Sequence, residues 1–275
     1  MRKLFLCALA ILSIAASASA APIVLPGGTP LYIKFDNLEQ LSTAGGAGGD
    51  IDVPGVYGFA DNWGVFSVST IDLGTLDGVT PHIDIAATGS PAEVYNGTQG
   101  SIYGIFYDII LSGSNTAIGG TLDLYWSDAV GAVSLAGALP NLATVTSFTS
   151  GTFLARLDFA SGILGPGDCT TTISSSVDPT LGLSGLADSF ANVDLSAGGA
   201  WATSLNGDWF TTPCGTRDVR FSTFFNATAD SWDGTNILGL RSNDPARVFT
   251  VPEPASLALL GLGLLGFARA RRRTR

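Results

Sequence analysis

A single imidazole, His82, limits the hydrolytic chemistry open to this 275-residue chain. A serine or cysteine nucleophile needs a base beside it, and His82 is the one histidine available to serve as that base. It follows Pro81 at what reads as a strand start, the setting of an ordinary edge or surface histidine. No G-x-S-x-G occurs, since Gly182–Leu183–Ser184–Gly185–Leu186 departs from the pattern at its last position. Glycoside hydrolysis asks instead for two carboxylates at a set separation. The chain has 23 acidic residues, 20 of them Asp. Some pair will always fall close, so composition by itself carries no signal. Gly45–Gly46–Ala47–Gly48–Gly49 lacks the Lys-Ser/Thr of a phosphate loop and reads as a loop. The expectation is a non-enzymatic body, with a secreted glycoside hydrolase as the low alternative.

Binding chemistry has more candidates. Asp230, Asp233 and Asn236 gather around Gly234, and Asp50 and Asp52 flank the glycine run. Oxygen-rich loops of this kind take calcium. Neither matches D-x-[DN]-x-[DN]-G, and hydrogen-bonded Asx turns explain both equally well. No other cofactor is expected. Trp63, Trp201, Trp209 and Trp232 sit in turn-like surroundings, where an exposed indole can stack on a sugar. Trp209 within Asn206–Gly207–Asp208–Trp209–Phe210 is the first candidate and Trp232 the second, although tryptophans near turns also serve as core plugs. Cys169 and Cys214 remain once Cys7 is set aside in an N-terminal leader. In an exported domain such a pair points to a disulfide. Metal ligation is the other reading, with no C-x-x-C to support it.

The elements that would position these groups are strands. Leu122, Leu124 and Trp126 alternate with Thr121, Asp123 and Tyr125; Phe153, Ala155, Leu157 and Phe159 repeat the pattern, and so do Val219, Phe221, Thr223 and Phe225. Ile102 to Leu111 is more continuously apolar and suits a central strand covered on both faces. Arg247 to Val251 reads as a last strand. Turn clusters at Gly45–Asp50, Ser112–Asn115, Gly165–Asp168, Gly198–Gly199, Asn206–Gly207 and Asp233–Gly234 punctuate the body. Pro179 to Phe190 reads as one short helix. The expected class is all-β, an antiparallel β-sandwich or jelly roll in one domain, with a signal helix at the N-terminus and a hydrophobic helix at the C-terminus.

Charge separates the body from its ends. Between Ala21 and Val251 there are 22 acidic residues against 6 basic ones, a net charge of −16, while both termini are basic. A surface that acidic repels phosphate backbones, which excludes nucleic acid as a partner. Arg2 and Lys3, the apolar run Leu4 to Ala16 and the small-x-small pattern Ala18–Ser19–Ala20 make a secretory signal peptide cleaved after Ala20. At the other end, Pro252–Glu253–Pro254 breaks the last strand. Leu257 to Ala268 is apolar, and Arg269, Arg271, Arg272, Arg273 and Arg275 hold their end on the cytoplasmic side of a membrane. The apolar stretch from Ala255 spans roughly 21 Å as a helix against a hydrocarbon core of about 30 Å, which suits a transient anchor.

Pro252–Glu253–Pro254, the Leu/Gly-rich segment and the arginine cluster, in that order over Val251–Arg275, resemble the PEP-CTERM sorting signal of Gram-negative bacteria. The resemblance implies recognition by a membrane enzyme, an exosortase, with processing near the Pro-Glu-Pro. It also implies an association with exopolysaccharide and biofilm matrix. The chain then divides into signal peptide 1–20, exported β domain 21–250 and sorting signal 251–275. Its expected role is structural or adhesive at the cell surface or in the extracellular matrix, with a carbohydrate-binding module as the alternative.

Overall fold

Leu31, Ile33, Phe35, Asn37, Glu39 and Leu41 take alternate positions along β1 (Pro30–Ser42). The period of two turns all six side chains to one side. The computed structural model describes residues 22–43, 51–55, 59–78, 84–88, 93–178, 184–227 and 232–251. The expected signal peptide and the segment from Pro252 onward, with the helices expected there, lie outside the described residues. Among those described, no helix is long and apolar enough to cross a membrane.

β1 is paired antiparallel along both edges, with β15 (Ile237–Phe249) on one side and β4 (Asn62–Leu76) on the other. From β4 the ladder passes to β7 (Ser101–Leu111), β8 (Thr116–Ser127) and β9 (Thr152–Ala160). It continues to β11 (Ser184–Val193), then to β14 (Val219–Asn226), and returns to β15. β10 (Ile173–Asp178) fills the rest of the gap between β8 and β11, where β9 does not reach. Every position in the circuit has a neighbour on each side. The expected all-β antiparallel class is therefore present, but as one sheet closed into a barrel of eight positions where two stacked sheets were expected. Closure leaves the long strands without a free edge.

One further expectation changes. Ser184 to Phe190 is strand, not helix, because ladder partners on both sides override the weak local preference of a Ser/Gly/Ala-rich segment; residues 179–183 lie outside the described set. A further feature is the length of the strands, up to 15 residues in β4. Several glycines sit inside strands, making room for rings from the neighbouring strand. A Cβ at Gly64 would lie 2.6 Å from the Phe106 ring, and one at Gly104 would lie 2.6 Å from Phe66 and 1.9 Å from the Asp123 carbonyl oxygen.

The lumen is filled over one half only. Toward the start of β1, buried Leu31, Ile33, Ile71, Ile102, Leu124 and Trp126 pack together. Trp201 and α2 (Ala202–Leu205) close that end, where the Trp201 indole N–H donates to the Ile23 carbonyl at 2.6 Å. Thr250, fully buried, donates to the Pro26 carbonyl and accepts from the Thr29 N–H, tying the first and last described segments together.

A second core covers the outside of β1, β4 and β7, so these strands are buried on both faces. Trp63, Val65, Tyr103 and Ile105 point outward and are covered by Trp232, by α1 (Leu142–Phe148), capped through Asn141, and by β2 (Ile51–Asp52) with β3 (Phe59–Ala60). Ile102 to Tyr107 is accordingly covered on both faces, as its composition implied, while Asp108 and Ile110 further along the strand are exposed. On the outer face of β8 the buried Asp123 accepts two hydrogen bonds from Arg156, at 2.7 and 2.8 Å. That pairing holds the Arg156 guanidinium even more firmly protonated than usual. Small strands β5 (Ile85–Ala87) and β6 (Glu93–Tyr95) lie along β4. A hairpin of β12 (Phe210–Thr212) and β13 (Gly215–Arg217) stands beside β11.

Candidate functional site

Phenylalanines from five strands meet halfway along the lumen. Phe35 and Phe66 are edge-to-face at 5.3 Å, Phe35 and Phe221 lie 6.0 Å apart, and Phe159 and Phe221 lie 5.5 Å apart, with Phe106 beside them. Below this layer the barrel is packed. Above it lies a cavity of about 750 Å³, open at the end where β1 finishes and β15 begins. An eight-stranded barrel is just wide enough either to be filled by side chains or to hold one small molecule. This one does each in half of its length. The volume falls in the range of small-molecule sites.

The wall is mostly apolar, with Leu41, Ile109, Leu111, Ile173, Leu238 and Leu240 among its residues. Polar groups gather on two sides. On β1 and β4 stand Asn37, Glu39 and Asn62; across the lumen β10, β11 and β14 present Ser175, Ser189 and Thr223. Glu39 is 8% exposed. Its Oε1 accepts from the Ser242 hydroxyl at 2.8 Å and its Oε2 from the Asn62 amide at 3.2 Å, while the Asn37 side-chain oxygen accepts from the Ser242 N–H at 2.7 Å. These bonds fix the orientation of the carboxylate and pin β15 to β1 beneath the mouth. Glu39 is the only carboxylate among the described side chains lining the cavity, which include no arginine or lysine.

The residues singled out from sequence are scattered elsewhere. Cys169 and Cys214 are joined in a disulfide with Cα atoms 5.5 Å apart, linking the segment before β10 to the β12–β13 hairpin. Trp232 is fully buried, 5.5 Å from Trp63, with its indole N–H on the Ala138 carbonyl at 2.8 Å. It is a core plug of the outer cluster and cannot present a face to a sugar. Trp209 is half-buried and stacked flat on Phe249 at 3.9 Å, at the closed end and away from the cavity. Asp233 accepts the Gly239 N–H at 2.7 Å, and Asn236 stands at φ 58°, a tight-turn arrangement. Asp230 lies outside the described residues, as do His82, Asp50 and the Gly45–Gly49 run. Among the described residues no three His, Cys, Asp or Glu side chains converge as metal ligands.

Sequence reasoning missed the cavity, although one signal was present. The inward face of β1 reads Leu31, Ile33, Phe35 and then Asn37, Glu39 before Leu41, so two polar residues occupy core positions of an otherwise apolar strand. A buried polar group is more informative than a buried apolar one.

β15 runs from the mouth to the closed end, so the chain leaves the barrel at Val251 on the side away from the cavity; the Val251 N–H donates to the Ser204 carbonyl there. Residues 250–273, beginning at this exit, match the family model of the PEP-CTERM protein-sorting motif. The chain is a PEP-CTERM domain-containing protein. It is therefore an exosortase substrate, exported across the inner membrane to the cell surface. Comparisons of the PEP-CTERM protein with curated proteins and with solved structures gave no match. Pro252, Glu253, Pro254 and the arginine cluster of Arg269, Arg271, Arg272, Arg273 and Arg275 lie outside the described residues, as do Ala18 and Ala20.

Proposed function

We propose that this PEP-CTERM protein is a non-catalytic binding protein of the cell surface or extracellular matrix, and that its barrel takes up a small, mostly apolar molecule. The observation that carries this reading is the half-filled lumen. A layer of phenylalanines forms a floor, and about 750 Å³ above it opens to solvent between largely apolar walls. Sealed cores are packed to crystal-like density, and a void of this size forfeits contacts that a folded protein otherwise makes. The lone lining carboxylate favours binding over glycoside hydrolysis, which draws on a pair. The mouth faces away from the exit of the sorting tail. While a transient inner-membrane anchor holds the chain, the cavity would point into the exported compartment. Residence beside exopolysaccharide and a structural or adhesive contribution to a biofilm rest on the sorting signal, and the cavity adds an activity at that address.

The test uses the protein as secreted and processed by an exosortase-bearing host. The neutral probe N-phenyl-1-naphthylamine gains fluorescence on entering an apolar site. Saturable enhancement at one probe per chain is the expected result. Absence of enhancement, with no shift in thermal unfolding on adding the probe, would show a lumen closed to ligands and remove the reading.

A further inference from the structure

Three adjacent strands shape one wall of the cavity. The ladder of β10, β11 and β14 sets Ile173, Ser189 and Phe221 in one cross-strand row, and Ser175, Ala187 and Thr223 in the next row toward the mouth. Phe221 belongs to the phenylalanine floor, so the second row stands about 7 Å above it at the rise of a strand. Each member of that second row is small, and two strand spacings give the recess a width of about 10 Å. Across the lumen β4 and β7 present Phe66, Phe106 and Ile109, which are bulky. The space between a shallow wall and a bulky one is a slot, and its floor is aromatic. Ser189, 4% exposed, lines the cavity at the foot of the recess. Among the described residues its hydroxyl makes no hydrogen bond, and neither does that of Thr223 above it. Ser175 beside them donates to the Asn115 carbonyl at 3.3 Å. A polar group buried as deeply as Ser189 ordinarily has a partner.

From this arrangement, and resting on the reading that the barrel takes up a small molecule, we infer that the ligand is a flat, uncharged ring compound carrying a hydroxyl, and that Ser189 receives it. The floor rings meet an aromatic edge or face in the geometries they already adopt among themselves. A hydroxyl both donates and accepts, as does that of Ser189, so the two satisfy one another without a countercharge. A charged head would enter a mostly apolar lumen without one. The described lining holds no arginine or lysine, and Glu39 is already committed to Ser242, Asn62 and a further interaction.

2-Naphthol, naphthalene and 2-naphthoate share one ring system and differ in the group it carries. Binding of each to the secreted, processed protein at neutral pH is read by equilibrium dialysis. 2-Naphthol is expected to bind at about ten-fold or more lower concentration than 2-naphthoate. Ser189→Ala is expected to weaken 2-naphthol about five-fold, the size of one lost hydrogen bond, and to leave naphthalene within about two-fold. The comparison on the parent protein needs no variant, so it stands whether or not Ser189→Ala folds. Equal or tighter binding of 2-naphthoate overturns the inference, and so does an equal effect of Ser189→Ala on 2-naphthol and naphthalene. Binding of the naphthylamine probe with none of the three compounds also overturns it. Each of these results leaves the cavity reading standing while the probe binds. Failure of the probe to bind removes both.

Discussion

Removing the Cys169–Cys214 bridge is expected to lower stability by about 4 kcal/mol. The two residues are 45 positions apart. In the chain-entropy model a loop of that length loses about 13 cal/mol/K on cross-linking, or about 4 kcal/mol at 25 °C. The enclosed segment contains β10, β11, α2 and β12, which the unfolded chain must otherwise bring back to one side of the barrel without a tether. For a domain of this size each kcal/mol moves the unfolding midpoint by about 2–4 °C, so the loss corresponds to roughly 8–16 °C. The measurement is calorimetric unfolding of the processed protein with and without reductant, and of a Cys169→Ala, Cys214→Ala double variant. The sequence has three cysteines and Cys7 falls in the expected leader, so a chain processed there offers reductant no second target. Agreement between the reduced protein and the double variant would exclude damage from the substitutions themselves. A midpoint shift below about 2 °C in both would refute the reasoning, because it would mean that the ladder already restricts the loop in the unfolded ensemble.

Stability is expected to rise on mild acidification, contrary to the common pattern. Burial raises the carboxyl of Asp218 above its usual range, so the folded state takes up that proton before the unfolded state as pH falls toward about 4. The exposed Asp108 and Asp158 shift in the same direction and, screened by solvent, add little. Asp168 and Asp194, held low by hydrogen bonds from Thr171 and Ser196, contribute stability that is lost only below the ordinary carboxylate value. The unfolding midpoint should be higher at pH 5 than at pH 7 and fall again by pH 3, and a steady decline from 7 to 5 would contradict this assignment. Gly104→Ala is expected to cost about 1–3 kcal/mol, since its Cβ would stand 1.9 Å from the Asp123 carbonyl oxygen; a urea midpoint unchanged from the parent would show that the strands separate freely there. Ala187→Phe, directed into the open half of the lumen, should leave stability within about 1 kcal/mol of the parent while abolishing probe binding. A large destabilisation would mean that the space is already filled.

What the sequence disclosed follows from how local each signal is. The disulfide needed only two cysteines and an exported context, and the doubly covered β7 needed only a run of apolar residues; both are written in composition. Barrel closure depends on which strands meet, and β1 reaches both β4, which follows it, and β15, some two hundred residues further on. No pattern within a strand encodes a partner at that distance. The same limit hid the site. Phe35, Phe66, Phe106, Phe159 and Phe221 each read as an ordinary core residue of its own strand, and only closure brings them into one layer. Trp232 shows the opposite error: its Asp-Gly neighbourhood marks a turn, but the outer core over β4 draws the indole inward to zero exposure. Glu39 was the residue that broke its local rule. A carboxylate in a row of six inward side chains, four of them apolar, costs solvation that packing alone does not recover, and such a departure is expected where function, not packing, sets the residue. The cavity and the sorting signal thus occupy opposite ends of the same pair of strands. β1 and β15 line the cavity near the mouth and meet the tail at the closed end, so the sorting motif begins on the side of the barrel away from the lumen.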